Sequence, residues 1–262
     1  MLLHRLAKTV TATNTMKFTS AYPLALLVTS AQICSAFQQK SQSFTSSTTL
    51  NMATQQDKGD LNPPINEAWC TPLKVGDTVP SVTFKTRVRI ESDDQNPFDW
   101  KDVTSEDIFK GKRVVLFGLP GAFTPLCSSE MVPGYDAARP ELLELGIDEV
   151  YCLSVNDAFV MRQWGLNQKL EEDKTIGANG FKNLKLLPDG AAQFTRGMGM
   201  STVWSSNRGF GERSWRYSCV INDMKIENLN LEGELVQNAE PDPFEFSDVG
   251  TIIKYLKSVK KD

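Results

Sequence analysis

Val114-Val115-Leu116-Phe117-Gly118-Leu119-Pro120-Gly121-Ala122-Phe123-Thr124-Pro125-Leu126-Cys127 decides the fold. Its first six residues form an unbroken apolar run after Lys112-Arg113, the pattern of a strand buried on both faces; a strand with one wet face would alternate. Pro120-Gly121 then turns the chain. Thr124-Pro125 opens a helix, because Thr is a good N-cap and Pro fits the first helical position. Outward from there, Glu149 to Val155 reads as a second buried strand and Leu184 to Leu187 as a third, ended by the Pro188-Asp189-Gly190 turn. Val79 to Ile90 suits strands, with a polar loop over Glu91 to Asn96. Tyr217 to Ile221 and Lys225 to Leu231 flank Asn222-Asp223-Met224 as an antiparallel hairpin. Helical stretches are expected over 125–145, 157–170 and 247–259, the last with Val249, Ile252, Ile253 and Leu256 on one face. Pro140 removes a backbone donor inside the first, so a kink or two short helices is expected there.

The alternation of strands and helices predicts one α/β domain over 63–262, a central mixed β-sheet flanked by helices on both faces. That order is compatible with a thioredoxin-type architecture. Gly197-Met198-Gly199 and Gly209-Phe210-Gly211 lack the third glycine of a dinucleotide fingerprint and read as loops. Glu171-Glu172-Asp173 reads as a solvated helix end, and Trp164, Trp204 and Trp215 as packing residues.

The chain has 262 residues, 32 acidic and 28 basic, and a single histidine, His4. Four of the bases and none of the acids precede Asp57, so the remainder carries 24 bases against 32 acids, a net charge of −8. So acidic a body is a poor prospect for nucleic acid, whose phosphates call for a clustered basic face. Tyr22 to Ile33 is an apolar segment too short to span a membrane but suited to a signal-peptide core, with Cys34-Ser35-Ala36 as a cleavage site; Met16 is an alternative initiator. Residues 37–62 begin basic and hydroxyl-rich, like a transit peptide. A signal-peptide-like segment over 1–36 followed by a transit-like linker over 37–62 resembles the two-part plastid presequence of algae with secondary plastids, the alternative being plain secretion. Loss of this segment takes His4 with it, and with it His-dependent triads, His-ligated zinc and haem with a proximal His.

Cys70, Cys127, Cys152 and Cys219 remain, with no CxxC and no regular spacing. Neither a disulfide framework nor a zinc ribbon is indicated, and a reducing compartment fits better. Cys127 falls at the third helical position, where free backbone N–H groups and the positive helix end favour thiolate. A buried, inert thiol is the competing reading of the same local sequence.

Residues 120–127 carry P-x-x-x-T-x-x-C, the signature of peroxiredoxins, and the fuller P-G-A-F-T-P-x-C form resembles their type II, peroxiredoxin-5-like branch. Ser154-Val155-Asn156-Asp157-Ala158-Phe159-Val160-Met161 and Arg213-Ser214-Trp215-Arg216-Tyr217-Ser218 are similar to that branch too. The resemblance runs from about Val75 to Leu256. It implies a thiol peroxidase of thioredoxin-like fold needing no cofactor or metal, in which Cys127 attacks a hydroperoxide and becomes a sulfenic acid. It implies further that Thr124 orients the peroxide, Pro120 shields the pocket and Arg216 stabilises the thiolate and the leaving oxygen. Period-2 alternation puts Arg216, Ser218 and Val220 on one face and Tyr217, Cys219 and Ile221 on the other, so Cys219 is assigned to the core.

No cysteine follows Cys219, and Pro241 to Asp248 covers the stretch where some members of the branch carry one. Cys152 and Cys70 are the two resolving candidates. Cys152 has the spacing of an internal resolver but sits in a buried strand, and Cys70 lies on a Pro-rich leader. Without a partner cysteine the resemblance implies reduction by glutathione and glutaredoxin, with thioredoxin as the rival donor, and a homodimer built partly from Ala158 to Met161. A peroxide sensor using the same cysteine is the alternative function. A thiol–disulfide reductase is disfavoured because Thr124 stands where CxxC would need its first cysteine.

Overall fold

The computed structural model describes residues 66–89, 98–173, 180–205 and 207–260. The chain divides after Gln56 into two units, and the described residues belong to the second, Asp57–Asp262. The presequence readings and the Glu91 to Asn96 loop lie outside the described residues.

In chain order the elements are β1 (Thr83–Arg89), β2 (Phe98–Thr104), α1 (Ser105–Phe109), β3 (Arg113–Leu119), a π-helical turn (Cys127–Met131), α2 (Val132–Glu144), β4 (Glu149–Ser154), α3 (Ala158–Asn167), β5 (Lys185–Pro188), α4 (Gln193–Gly197), β6 (Ser201–Trp204), β7 (Gly211–Ser214), β8 (Tyr217–Asn222), β9 (Lys225–Leu231) and α5 (Val249–Val259). Five strands form one sheet in the order β5-β4-β3-β8-β9. β3, β4 and β5 run parallel, whereas β8 and β9 are antiparallel, so the sheet is mixed as expected. β1 with β2, and β6 with β7, are separate hairpins.

The central apolar run has the burial its pattern demands: from Val114 to Leu119 every residue of β3 is buried. Alternation then sorts the side chains between two cores. Val115, Phe117 and Leu119, with Val150 and Cys152 of β4 and Val220 of β8, face Met131, Tyr135, Leu142, Trp164, Ile252 and Leu256 from the turn and α2, α3 and α5. Val114, Leu116, Tyr151, Leu153, Tyr217, Cys219 and Ile221 face Phe84, Ile108, Phe109, Phe194, Trp204 and Trp215 on the other side. Cys219 therefore lies in the core opposite Cys127 and Cys152, as alternation predicts. Trp164, Trp204 and Trp215 are all buried packing residues.

Gly118 is needed for close approach: a Cβ there would stand 2.2 Å from Tyr217 Cε1. α2 turns Val132, Tyr135, Arg139 and Leu142 inward at spacings of three and four. Tyr135 stacks on Phe117 at 4.0 Å and donates its hydroxyl to the Ser247 carbonyl at 2.8 Å, tying α2 to the segment before α5. Asp157 and Asp248 cap α3 and α5 through their carboxylates.

Three expectations change. Pro140 does not divide the first helix, for α2 runs continuously through it; the irregularity falls earlier, at the π-helical turn that begins on Cys127. A π turn widens the backbone ladder by one residue and commonly marks functional positions. The glycine cluster at 197–199 closes the short helix α4 rather than a plain loop, and Gly211 begins β7. The β2 strand and α1 helix were not read from the sequence, although Thr104 and Asp107 form a full capping box. Glu171 and Glu172 pair with Lys182 and Arg162 beyond α3, in keeping with a solvated helix end.

Candidate active site

Cys127 sits at the N-terminal end of a helix whose first residue is Pro125, where the sequence places it. The turn Pro120 to Thr124 swings the chain from the end of β3 to that helix. Phe123 takes the left-handed conformation (φ 64°) and leaves its ring half exposed. Asn156, just past β4, holds this turn: its Oδ1 accepts the Ala122 N–H at 3.0 Å and the Ser154 hydroxyl at 2.7 Å. The Thr124 carbonyl accepts the Ser128 N–H at 3.1 Å, while its hydroxyl donates to the Gly121 carbonyl at 2.7 Å. The hydroxyl thus spends its proton on the turn and keeps its lone pairs for a donor, such as an incoming hydroperoxide. Trp164 Nε1–H donates to Ser128 Oγ at 3.0 Å, pinning the turn from α3.

Arg216 completes the cluster. It is 1% exposed and enters from the chain just before β8. Nη1 lies 3.3 Å from Cys127 Sγ and 3.3 Å from Met131 Sδ, and Nη2 donates to Asp242 Oδ2 at 2.6 Å. The Phe244 ring centre lies 5.8 Å from the guanidinium carbon. Burial works against the charge of Arg216, but the Cys127 sulfur and the Asp242 carboxylate outweigh it and hold the guanidinium protonated. Nε has no protein partner. A buried donor left free beside the sulfur is available to an oxygen that develops charge there.

A second carboxylate builds the frame. Glu232 is buried, and its side chain accepts the backbone N–H groups of Glu245, Phe246 and Ser247 at 2.6 to 2.9 Å as well as the Ser247 hydroxyl. Its own N–H donates to the Arg216 carbonyl at 3.2 Å. Glu232 therefore fastens the segment carrying Asp242 and Phe244 to the strand end carrying Arg216.

The structure brings Arg216 to 3.3 Å from Cys127, and Thr124 lies three residues before Cys127, immediately before the helix that carries it. Pro120 ends β3 at the start of the turn and is buried. Cys152 lies in the same core as Cys127 but is wholly buried on β4, and burial first, then the nearby Cys127 sulfur, push its thiol well up. Burial raises the Cys219 thiol as well. Cys70, in a short turn over Glu67–Cys70, accepts a hydrogen bond from Gln237 Nε2 at 3.6 Å, and burial raises its thiol too. The four described cysteines are all free. Asp242, Met131, Glu232 and Asn156 were not singled out by the sequence. Asp242 lies 26 residues from its arginine with no local pattern joining them, but Asn156 follows β4, where α/β loops gather functional groups.

Cavities of about 570 and 220 Å³ beside the β1–β2 hairpin are lined by neither Cys127 nor Arg216. An oxidant as small as a peroxide needs only a crevice at the sulfur. Among the described residues no group of three His, Cys, Asp or Glu is placed to hold a metal ion, and no helix is long and apolar enough to cross a membrane.

Residues 74–245 match the Redoxin family. Peroxiredoxin sll1621 of Synechocystis sp. is 55% identical over 183 residues, covering 70% of this chain and 90% of the relative. Peroxiredoxin-2E, chloroplastic, of Arabidopsis thaliana is 38% identical over 161 residues, 61% of this chain and 62% of the relative. Among solved structures, the Plasmodium falciparum antioxidant protein, titled a 1-Cys peroxiredoxin, matches with a TM-score of 0.61 and 28% identity, covering 71% of this chain and 99% of its own. The chain is a peroxiredoxin of the type II branch. Its fold is accordingly the thioredoxin-like one, and its activity is that of a thiol-dependent peroxidase.

Proposed function

We propose that Cys127 is the peroxidatic residue and that the cycle uses this one cysteine, with an external thiol returning it to the reduced state. The thiolate attacks the distal oxygen of a hydroperoxide, the O–O bond breaks, and water or alcohol leaves after taking up a proton, so that the cysteine becomes a sulfenic acid. Thr124 Oγ1 receives the peroxide O–H, and Pro120 excludes water from one side of the crevice. Arg216 offers Nη1 to the sulfur and Nε to the oxygen on which charge develops. A first thiol then condenses with the sulfenic acid to a mixed disulfide and water, and a second thiol displaces it as a disulfide.

The observation that carries the one-cysteine reading is the burial of Cys152 on a central strand together with its raised thiol. A disulfide to Cys127 would require a strand and a helix start to come apart. Cys219 faces the opposite core, and Cys70 is engaged with Gln237. Glutathione with glutaredoxin fits such a cycle, with thioredoxin as the rival donor. Assembly as a homodimer fits the start of α3. Ala158 and Met161 are buried within the protomer, but Phe159 is 52% exposed and meets Trp100, 56% exposed, edge to face at 5.6 Å. A plastid address rests on the composition of residues 1–62, and the chloroplastic name of the Arabidopsis relative supports it.

Intact-mass measurement after one equivalent of hydrogen peroxide, before any reductant, tests the cycle. Gain of one oxygen, lost in Cys127→Ser, is expected. Loss of two hydrogens would replace the one-cysteine cycle by a disulfide, which peptide mapping would assign to Cys152 or Cys70. Rapid oxidation without turnover by any thiol would favour a sensor.

A further inference from the structure

Five of the partly or fully buried arginines answer their charge with a carboxylate: Arg113 with Glu227, Arg139 with Glu149, Arg162 with Glu172, Arg196 with Glu212 and Arg216 with Asp242. Two do not: Arg87 rests on the Phe98 and Phe159 rings, and Arg213 lies on β7. Arg213 Nε donates to the Phe210 carbonyl at 3.1 Å and its Nη1 to the Val155 carbonyl at 3.5 Å, its guanidinium carbon lies 5.5 Å from the centre of the Phe210 ring, and no acid contacts it among the described residues. The adjacent acid, Glu212, is taken up by Arg196 and by the Ser201 hydroxyl. Burial draws the Arg213 proton affinity down, and no acidic group offsets it. Two neutral carbonyls and a ring face recover only part of what a half-buried guanidinium loses in hydration, so an arriving anion would find here a cation with no acid of its own.

Its position says which anion. A Cβ on Gly121 would lie 3.2 Å from Arg213 Nη1 and 3.3 Å from Thr124 Cγ2. The guanidinium and the peroxide-facing threonine thus stand on either side of one glycine, in the turn that leads to Cys127. That glycine lets the guanidinium and the threonine close on the backbone, where a side chain would force one of them to give. Arg213 and Arg216 divide the work: Arg216 is spent on the sulfur and Asp242, and Arg213 stands against the turn that carries Thr124 and leads to Cys127.

We propose that Arg213 is a specificity-determining residue that binds the carboxylate of an anionic substrate reaching Cys127. A carboxylate suits the planar, two-donor geometry of guanidinium. The same group could enter with the reducing thiol or with an organic hydroperoxide. The first case rests on the external-thiol cycle proposed above.

The test uses the full 262-residue chain with Arg213→Gln and Arg213→Lys, glutathione against its diethyl ester, and linoleic acid hydroperoxide against tert-butyl hydroperoxide. If the carboxylate comes with the thiol, the ratio of kcat/KM for glutathione to that for the ester falls about tenfold in Arg213→Gln and recovers in part in Arg213→Lys. If it comes with the oxidant, the fall appears instead in the ratio of the two peroxide oxidation rates. Ratios unchanged in both arms overturn the proposal, even if all rates drop together, because that pattern describes a residue that only shapes the turn. Should the variants not fold, the wild-type protein decides: the anionic-to-neutral ratio must fall as salt rises from about 0.02 to 0.5 M, and a flat ratio overturns the site. Failure of the external-thiol cycle is a separate result, in which neither thiol reduces the oxidised wild type.

Discussion

Cys127 and Cys152 lie in the same apolar cluster, and neither has any exposed surface. Burial therefore does not distinguish a reactive thiol from an inert one here. What differs is the company each keeps. Cys127 stands at a helix start with a guanidinium nitrogen at 3.3 Å, whereas Cys152 sits mid-strand, where burial pushes its thiol up. Apolar surroundings alone leave a thiol without a charged partner, whereas Cys127 meets a guanidinium.

The sharpest way to break this contrast is to remove each sulfur in turn. Cys127→Ser is expected to bring peroxide consumption down to the uncatalysed rate. Cys152→Ala should leave turnover with an external thiol within about threefold, since the change trims one buried sulfur and leaves Cys127, Thr124 and Arg216 in place. Coupled-assay turnover of both variants checks this; loss of activity in Cys152→Ala with the fold intact would make Cys152 the resolver.

Arg216→Gln tests whether the cation is the deciding difference. It should lower the second-order rate of Cys127 oxidation by roughly a hundredfold to a thousandfold, the size of effect seen when a preorganised donor is removed from a charged transition state. Iodoacetamide should also alkylate Cys127 more slowly at neutral pH in this variant. Rates of oxidation and alkylation that matched the wild type would assign Arg216 to packing.

One step further out, Asp242→Asn keeps the shape and removes the charge that faces Arg216 Nη2. Stopped-flow oxidation should slow by about tenfold, because a charge-assisted bond roughly twice the strength of a neutral one is lost. Met131→Leu should have a smaller effect, about threefold, as one hydrogen bond from Nη1 to a weak acceptor goes while the volume stays.

How much of this was legible follows from which interactions are local. β3, the turn, the helix start and Cys127 occupy one continuous stretch, so apolar patterning, a capping residue and a proline were enough to order them. Alternation along β8 correctly sent Cys219 to the far core. Arg216 entered through resemblance, and its placement on the Cys127 face agrees with that alternation. Asp242, Met131 and Glu232 could not be read in the same way. Each acts through a side chain brought in by tertiary packing, and Glu232 works by binding the backbone of residues 245–247, which leaves no mark on their identity. The π turn was hidden for a similar reason, since its one-residue widening shows no distinctive pattern and Pro140 drew the expected irregularity downstream.

The smallest expected effect lies in alkali and tests the quiet half of the comparison. Cys152 stays protonated in the folded protein well above the ordinary thiol value of 9.0, whereas in the unfolded chain it ionises near that value. Between the two the folded state binds one more proton than the unfolded state, so stability must fall as pH rises past about 9. At pH 10 this one thiol accounts for on the order of 1 kcal/mol, which Cys152→Ala removes. Cys219, whose thiol is raised by burial in the other core, should add a loss of the same sign and separate origin. Thermal melts of the wild type and Cys152→Ala between pH 8 and about pH 10.5 should therefore converge on the alkaline side, by a few degrees for a body of this size. Parallel curves would mean that the Cys152 thiol ionises as readily folded as unfolded. The contrast between the two cysteines would then rest on Arg216 alone.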